Sequence, residues 1–456
     1  MAPITQADVR GPRPRAAAAG GVPRRKDGKF QVFLVTAVYW LLIARVIIPG
    51  FFDYAADTDI LKVAARDALF NKVTWLSFLF IPIVLLGSRS ALTLRVLRST
   101  NRYFLILLGF ATISIVWSID TGASTSRITH ALTVVLDCLA VAVVGWHAMR
   151  VQQITRPILT LMLIGSLVFG LGWPDLAITA PTPPDTYGYW HGLTTQKNGL
   201  GSLASLGFVF WFHGWAAKEV KWLPALVFGA LSGALLYLSK SSTAMMATVL
   251  VAMFLLLMLR SANVKVLRRY MPYLVGGFVC LTLAYSLAVL KVVPGLDVLL
   301  VPIAVITGKD STFTARTQIW ELIRAHIQYS PFIGSGYGGY WAGPMPSSPS
   351  YIFLQVMYFY PSEAHNGYLD IINDLGYVGL LLLLGYLIGY IKQALKLLKV
   401  NYTQSALYLA LIFQQLLTNL SETHWLFVGH DFIVLTMATF GLARSLMDAN
   451  AARRRA

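Results

Sequence analysis

Residues 243–260, TAMMATVLVAMFLLLMLR, run without a charged side chain until Arg260 closes the stretch. An α-helix needs about 17–25 apolar residues to cross a hydrocarbon core about 30 Å thick. Within lipid every backbone polar group must be bonded internally, so helices and closed barrels are the only spanning structures. This run is too long for a barrel strand. It therefore predicts a transmembrane helix.

The same pattern recurs along the chain and indicates a polytopic membrane protein. Only 12% of the 456 residues are charged and 56% are hydrophobic, whereas a soluble protein has about 25% charged residues. We predict an all-α fold with about twelve transmembrane helices. Their approximate positions are 30–49, 73–88, 103–118, 131–148, 157–172, 199–216, 222–238, 243–260, 271–291, 371–391, 404–420 and 425–444.

These spans divide the chain into three predicted regions. A disordered basic tail covers residues 1–29, a transmembrane domain covers 30–446, and a second basic tail covers 447–456. The longest connection, at about 292–370, joins the ninth and tenth spans and is rich in glycine and aromatic residues. Residues 296–306 are apolar but too short to cross, so they predict an interfacial or re-entrant helix.

The distribution of positive charge predicts the orientation of the chain. The net charge is +17, and most of the 37 Lys and Arg residues fall in the two tails and the even-numbered connections. Positively charged loops remain in the cytoplasm, so we expect both termini to be cytoplasmic and the loop at 292–370 to lie outside. Attraction to anionic lipid adds to the same bias. The basicity thus needs no nucleic-acid partner.

Several polar residues fall on the outer side, against that bias. Lys197 and Asn198 precede the sixth span, and a helix N-terminus offers free N–H groups to an anion. A snorkelling lysine with an asparagine cap would explain them equally well. Lys240 stands among hydroxyl residues in the short turn 239–243. An ammonium group and hydroxyls together suit phosphate oxygens, which favours a phosphate-binding role for this turn.

The outer loop adds two arginines at helical spacing, Arg316 and Arg324. Arginine binds phosphate with a planar, permanently charged fork. A salt bridge from Arg316 to Glu321 or Asp310 is the structural alternative.

A histidine and a carboxylate complete the outward set. His365 stands at the mouth of the tenth span, and an imidazole with an ordinary pKa of about 6.5 suits proton removal at neutral pH. Glu422, between the last two spans, would orient that base, bind sugar hydroxyls or cap a helix end. The chain has no Walker-type loop, no dinucleotide-binding glycine pattern, no His-Glu-x-x-His and no Cys-x-x-Cys. These patterns predict no cofactor and no metal site.

Taken together, the motifs resemble the O-antigen ligase and O-antigen polymerase superfamily, especially its exopolysaccharide polymerase branch. The matching segments are TQKNGLG (195–201), SKSST (239–243), ARTQIW (315–320), PFIGSGYG (331–338), HNGYL (365–369) and GYVGL (376–380). Two features depart from the family pattern. Lys240 stands where the family often has arginine, and the loop carries an additional Pro/Ser stretch at 343–349.

The resemblance implies a GT-C-like, metal-independent, inverting glycosyltransferase of the bacterial inner membrane. Such an enzyme polymerises undecaprenyl pyrophosphate-linked repeat units into exopolysaccharide or O-antigen on the periplasmic face. The implied partners are that lipid-linked oligosaccharide donor, a glycan or lipid-linked acceptor, membrane lipid, a chain-length regulator and a flippase. The implied catalytic residues are His365, Arg316 and Glu422. The implied pyrophosphate-binding residues are Lys197, Asn198, Lys240, Arg316, Arg324 and Asn366.

Two other functions are compatible with parts of the pattern. A ligase that transfers finished glycan to lipid A–core, or to a protein hydroxyl, would carry the same motifs. A transporter or lipid flippase belongs to another class. Transporters place polar groups near the bilayer midplane, whereas the charged residues here gather at one predicted surface.

Overall fold

The computed structural model describes residues 27–48, 60–180, 188–261, 265–289 and 314–454, with Gly295 and Val298. Within these ranges the chain is helical apart from one small antiparallel sheet. The helices are α1 (Lys29–Ile47), α2 (Ile60–Gly87), α3 (Ser90–Ser99), α4 (Arg102–Ile113), α5 (Thr121–Val143), α6 (Arg150–Gly172), α7 (Pro174–Ala177), α8 (Lys197–Ala216), α9 (Trp222–Leu238), α10 (Ser242–Ser261), α11 (Lys265–Val289), α12 (Thr314–Ile327), α13 (Ile352–Met357), α14 (Gly367–Leu398), α15 (Tyr402–Thr418) and α16 (His430–Arg453). Strands β1 (Ile178–Thr179) and β2 (Tyr189–Trp190) pair with Ile178 opposite Trp190.

The helices confirm a multi-pass, all-α membrane protein, although they support fewer crossings than predicted. Among the described residues, six helices are long and apolar enough to span a bilayer: α1, α5, α6, α10, α14 and α16. A seventh is possible if residues 72–87 of α2 and the whole of α3, which meet at 101°, form one bent span. Each predicted span overlaps a helix, but several of those helices, such as the 17-residue α9, are short.

The predicted region boundaries can be compared with the helices at both ends, and α1 begins at Lys29, beside the boundary predicted after residue 29. The basic tail up to residue 26 and nearly all of the predicted helix at 296–306 lie outside the described residues. Helix α16 continues to Arg453, so the boundary predicted at residue 446 falls inside a helix. Three alanines between Asp448 and Arg453 explain the continuation, because alanine has the highest helix propensity.

Helix α14 is broken at Gly376, where φ is +65° and ψ is −169°. Only glycine adopts this backbone region readily. The segment 331–338 supplies partners for the polar groups around the break. These hydrogen bonds are Tyr377 N to Pro331 O (2.8 Å), Val378 N to Phe332 O (3.1 Å), Ser335 N to Asn373 O (3.0 Å) and Gly336 N to Asp374 O (3.0 Å). Two of the quoted motifs, PFIGSGYG and GYVGL, thus satisfy the backbone of a broken membrane helix.

We expect Gly376→Ala to destabilise the protein. The strained backbone alone costs a non-glycine residue about 1–3 kcal/mol, and a Cβ at this position would collide with the backbone of Phe332. Gly229 in α9 is the matched control, because a Cβ there meets nothing within 4 Å and alanine favours a helix interior. The thermal unfolding midpoint in detergent should fall for Gly376→Ala and stay level or rise for Gly229→Ala. Equal midpoints would contradict this account of the break.

The segment between α12 and α14 has a small hydrophobic core of its own. Trp341 stacks on Phe353 with ring centres 5.3 Å apart and an interplanar angle of 18°. The Pro/Ser stretch at 343–349 is tied into this layer, because Gly343 N donates a 3.0 Å hydrogen bond to Tyr360 Oη. The layer packs beside the starts of α5 and α14. This layer thereby holds the polar residues of the segment between α12 and α14 in fixed positions.

Candidate functional site

Glu422, in the connection between α15 and α16, joins residues from three other parts of the chain. Its Oε1 accepts hydrogen bonds from Arg316 Nη2 at 2.7 Å and Asn198 Nδ2 at 2.6 Å. Its Oε2 lies 3.2 Å from His365 Nδ1. Glu422 is only 7% exposed, so these polar partners replace the water that an ionised carboxylate needs. Four predicted site residues therefore form one cluster, which we call the Glu422 cluster.

Helix α12 presents Arg316 to this cluster through a tryptophan anchor. Trp320 Nε1 donates a 3.0 Å hydrogen bond to Ala364 O, and the Trp320 side chain is buried. Residues four apart lie on the same face of a helix. The anchor at Trp320 therefore turns Arg316, one turn earlier, toward the segment that carries His365.

Asn366 contributes to this site through the backbone. Its Oδ1 accepts from Tyr368 N and Leu369 N, both at 3.1 Å, which caps the start of α14. Its Nδ2 donates to Leu420 O at 3.2 Å. Asn366 is fully buried and both ends of its amide are engaged, while its contact with pyrophosphate stays a prediction. Asn366 fixes the helix start against the connection that carries Glu422.

His365 has a left-handed backbone with φ of +50°, which is uncommon for a residue other than glycine, asparagine or aspartate. Such strain persists where the surrounding structure holds it, and it concentrates at functional sites. Two carboxylates approach the same ring nitrogen, Nδ1, with Glu363 Oε1 at 3.1 Å and Glu422 Oε2 at 3.2 Å. Nε2 is therefore the ring atom through which His365 would exchange a proton with a substrate.

The pKa values of the two carboxyl groups shift in opposite directions. Burial raises the pKa of Glu363 above its ordinary value. Burial also acts to raise the pKa of Glu422, but hydrogen bonding with His365 and the charge of Arg316 outweigh it and hold that pKa low. For His365 burial acts to lower the pKa, yet the hydrogen bonds with Glu363 and Glu422 raise it to about 10. At neutral pH His365 is thus an imidazolium held by both Glu363 and Glu422.

Glu363 was not among the predicted site residues, although its position two residues before His365 was the available signal. Glu363, His365 and Glu422 bring their ligand atoms within 4.8 Å of one another, as three ligands of a metal would. Both oxygens of Glu422 already have partners, and one of these is the permanent cation Arg316. The geometry therefore favours an ion-pair network over a cation site.

The two predicted lysines are brought to the same helix start. Lys197 precedes Asn198 in the first turn of α8, and its Nζ lies 4.3 Å from the centre of the Tyr189 ring. One turn on, a Cβ at Gly201 would come within 2.6 Å of Ser241 Cβ. Only glycine therefore lets the turn that carries Lys240 pack against the beginning of α8.

Arg324 does not share this location. It lies eight residues after Arg316 on α12, which corresponds to about 12 Å along the helix axis, and its side chain is exposed. The structure therefore places the predicted pyrophosphate contact of Arg324 away from the Glu422 cluster.

Comparison with known proteins agrees with the resemblance in the motifs. Residues 226–384 match the protein family described as O-Antigen ligase. The chain is also 28% identical over 361 residues to "Exopolysaccharide production protein ExoQ" of Rhizobium meliloti (strain 1021), which covers 74% of this chain and 75% of that relative. Both similarities support the O-antigen ligase and polymerase superfamily for this chain. Together with the membrane-spanning helices, these similarities indicate a multi-pass membrane enzyme of polysaccharide biosynthesis.

The family match covers only part of the Glu422 cluster. Lys240, Arg316 and His365 lie inside residues 226–384, whereas Asn198 and Glu422 lie outside them. The similarity to the relative extends over most of the chain, and the hydrogen bonds of Glu422 join the two parts. A fragment limited to the matched residues would lack the carboxylate that holds the site together.

Proposed function

We propose that this chain is a glycosyltransferase that polymerises undecaprenyl pyrophosphate-linked repeat units on the periplasmic face of the inner membrane. The observation that carries the proposal is the Glu422 cluster, in which a histidine, a carboxylate and an arginine from distant segments meet beside the start of α8. Transfer would invert the anomeric carbon and use no metal ion. Exopolysaccharide is the expected product, because the relative is named for exopolysaccharide production.

The cationic side of the cluster suits the leaving pyrophosphate. When the glycosidic bond to phosphate breaks, negative charge develops on the pyrophosphate, and fixed cations stabilise it best. Arg316 is 22% exposed at its side chain and has five N–H donors, so its bond to Glu422 leaves others for phosphate. Lys197 and Lys240 add two charges beside the same helix start.

His365 is suited to remove the proton from the acceptor hydroxyl. Glu422 forms a hydrogen bond with Nδ1 of His365, so the neutral imidazole presents Nε2 as the proton acceptor. As the acceptor oxygen bonds to the anomeric carbon, the bond to pyrophosphate breaks on the opposite face and the proton passes to Nε2. The imidazolium that forms is stabilised by Glu422. The same contact helps to raise the pKa of His365 in the free protein.

A ligase is the second candidate, because the matched family is described as O-Antigen ligase. In that case the same donor would be transferred to lipid A–core or to a protein hydroxyl. Purified protein given only the lipid-linked repeat unit separates the two. A polymerase should produce a ladder of lipid-linked oligomers, whereas a ligase should consume donor only when its acceptor is added. Absence of consumption in both reactions would remove the glycosyltransferase proposal.

A chain-length regulator and a flippase are the proposed protein partners.

The proposed topology has about twelve crossings within residues 30–446, with both termini in the cytoplasm of a bacterium. Its support is the positive-inside distribution of Lys and Arg and the overlap of each predicted span with a helix. The two ends of α10 give a direct test, because Lys240 precedes it and Arg260 closes it. In a variant without Cys138 and Cys280, we expect an impermeant maleimide to label Lys240→Cys in spheroplasts, and Arg260→Cys only after permeabilisation. The reverse pattern would place the Glu422 cluster in the cytoplasm.

A further inference from the structure

A cavity of about 210 Å³ lies beside the Glu422 cluster, with Glu363 in its wall. It is bounded by the N-terminal parts of α5 and α14, the loop around Tyr337, and the connection between α15 and α16. The clefts that hold drug-sized ligands have volumes of roughly 300–1,000 Å³. This cavity is therefore of a size for one ring with its substituents.

The lining combines aromatic rings with carboxyl groups. Tyr337, Trp341 and Trp425 supply the aromatic surface, and Glu363, Asp370 and Asp374 supply the carboxyl groups. A pyranose has apolar C–H faces and a rim of hydroxyl groups, so it needs flat apolar surface and acceptors at the edge. Rings with an apolar body and a polar edge, beside a few placed polar groups, provide both.

The carboxyl groups are held in position by the protein and retain capacity for a ligand. Asp374 Oδ2 accepts from Gly338 N at 2.7 Å and Asp370 Oδ1 accepts from Trp341 Nε1 at 2.8 Å. A carboxylate has about four acceptor positions. The contacts of Asp374 with Gly338 and, at 3.4 Å, with Asn373 leave it able to accept from further hydroxyls.

Arg127 contributes a guanidinium group to the wall of the cavity. Its Nη2 donates to Trp341 O at 2.8 Å, and its side chain crosses Gly338, where a Cβ would collide with it. Three carboxyl groups face this single arginine, together with His130. Carboxyl groups accept hydrogen bonds from hydroxyls, and those that are ionised repel an anion in a partly buried site. This lining therefore favours a neutral sugar over an anionic one.

Glu363 links this cavity to the Glu422 cluster. Arg316 and Asn198 bond to Oε1 of Glu422, His365 lies at Oε2, and Glu363 lies on the same ring nitrogen and in the cavity wall. A sugar in the cavity would therefore have Glu363 between itself and Nδ1 of His365. The charge pattern divides the site into a cationic donor side and an acidic, aromatic side.

From these observations we propose that the cavity binds an uncharged sugar ring of the acceptor glycan beside the Glu422 cluster, on the Glu363 side of His365. This inference rests on the proposed glycosyl transfer for its role, but sugar binding is testable without turnover. It assigns acceptor specificity to Arg127, Trp341, Trp425 and Asp374. Glu363 becomes a positioning residue, since it contacts both the cavity and His365.

The test uses methyl glucoside, methyl galactoside and methyl glucuronide with the full chain in detergent, and detects binding by saturation-transfer NMR. Val428→Phe places a larger side chain in the cavity wall, and Phe427→Trp does so at the neighbouring position. Val249→Phe is the matched control, since Val249 lies on α10 and is 57% exposed. Size-exclusion profiles show which variants are folded.

We expect a neutral methyl glycoside to bind the wild type and Val249→Phe, with the glucuronide at least tenfold weaker. At least one folded cavity variant should lose binding tenfold or more, and inorganic pyrophosphate should not compete. Equal or tighter binding of the glucuronide, competition by pyrophosphate, or no binding of a neutral glycoside would overturn the inference. Unchanged binding in the folded cavity variants would also overturn it. If sugars bind as expected while the polymerisation assay fails, the cavity assignment stands and the proposed reaction falls.

Discussion

His365→Asn should lower turnover about 10²–10⁴-fold, the usual contribution of a general base, while the protein still folds and binds the lipid-linked donor. Asparagine is chosen because it tolerates the left-handed backbone at this position, with its φ of +50°, better than alanine does. The measurement is initial rate of donor consumption at matched protein concentration. Donor binding should persist because Lys197, Lys240 and Arg316 remain.

His147→Asn is the matched control, since His147 is an exposed histidine outside the site, and it should be as active as the wild type. If His365→Asn also retained wild-type turnover, the base would be another group, and His424 and His191 would be the next to replace.

The pH dependence of the wild type follows from the pKa of His365, which the adjacent carboxylates raise to about 10. Below that pH the ring is protonated and unable to accept a proton, and the neutral fraction rises about tenfold for each pH unit. We therefore expect kcat/KM to increase with pH toward about 10, and expect this slope to be absent in His365→Asn. A rate that stayed flat or fell over this range would indicate that the imidazolium is the active form.

Glu422→Gln should be the second most damaging single change, with a loss of about 10²–10⁴-fold in turnover. The amide keeps the shape of the side chain but removes the charge that pairs with Arg316 and orients His365. Loss of the carboxylate that orients a catalytic histidine costs up to about 10⁴-fold in a serine protease triad. The variant should also shift the rising limb of the pH profile to lower pH, because the imidazolium loses a charged partner.

Glu363→Gln provides the comparison, because Glu363 contacts the same ring nitrogen but has a pKa raised by burial. We expect its effect on turnover to be at least tenfold smaller, with a smaller displacement of the pH profile. Both variants are measured at equal folded protein, judged by size-exclusion. Equal losses in the two variants would show that the carboxylates share the role assigned to Glu422.

Much of the site was predictable from the sequence because its residues break a general rule. Lys197, Lys240, Arg316 and His365 are predicted to lie on the side of the membrane where positive charge is disfavoured, and the structure gathers all four of their segments around Glu422 or at the start of α8. Two other predicted site residues have environments that depend on packing. Asn366 proved to be a buried helix cap, and Arg324 lies two turns from the cluster on an exposed face.

The charge state of His365 could not be read from the chain. Glu363 is its near neighbour in sequence, but the other partner, Glu422, comes from the connection 57 residues later. Only folding places both carboxylates on one ring nitrogen. The sequence also did not reveal the role of the two motifs PFIGSGYG and GYVGL. The structure shows that they form hydrogen bonds with each other across the break in α14.

The sequence by itself determined the helical membrane class, the direction of the charge bias and the residue types available for chemistry. These properties depend on composition and on short-range pattern: apolar length sets the spans, and the count of Lys and Arg in each connection sets the orientation. Tertiary structure alone decided the hydrogen bonds of Glu422, the raised pKa of His365 and the acidic, aromatic cavity beside it. The physical reason is that desolvation and pairing energies depend on distances between side chains far apart in the chain. A linear pattern does not contain those distances.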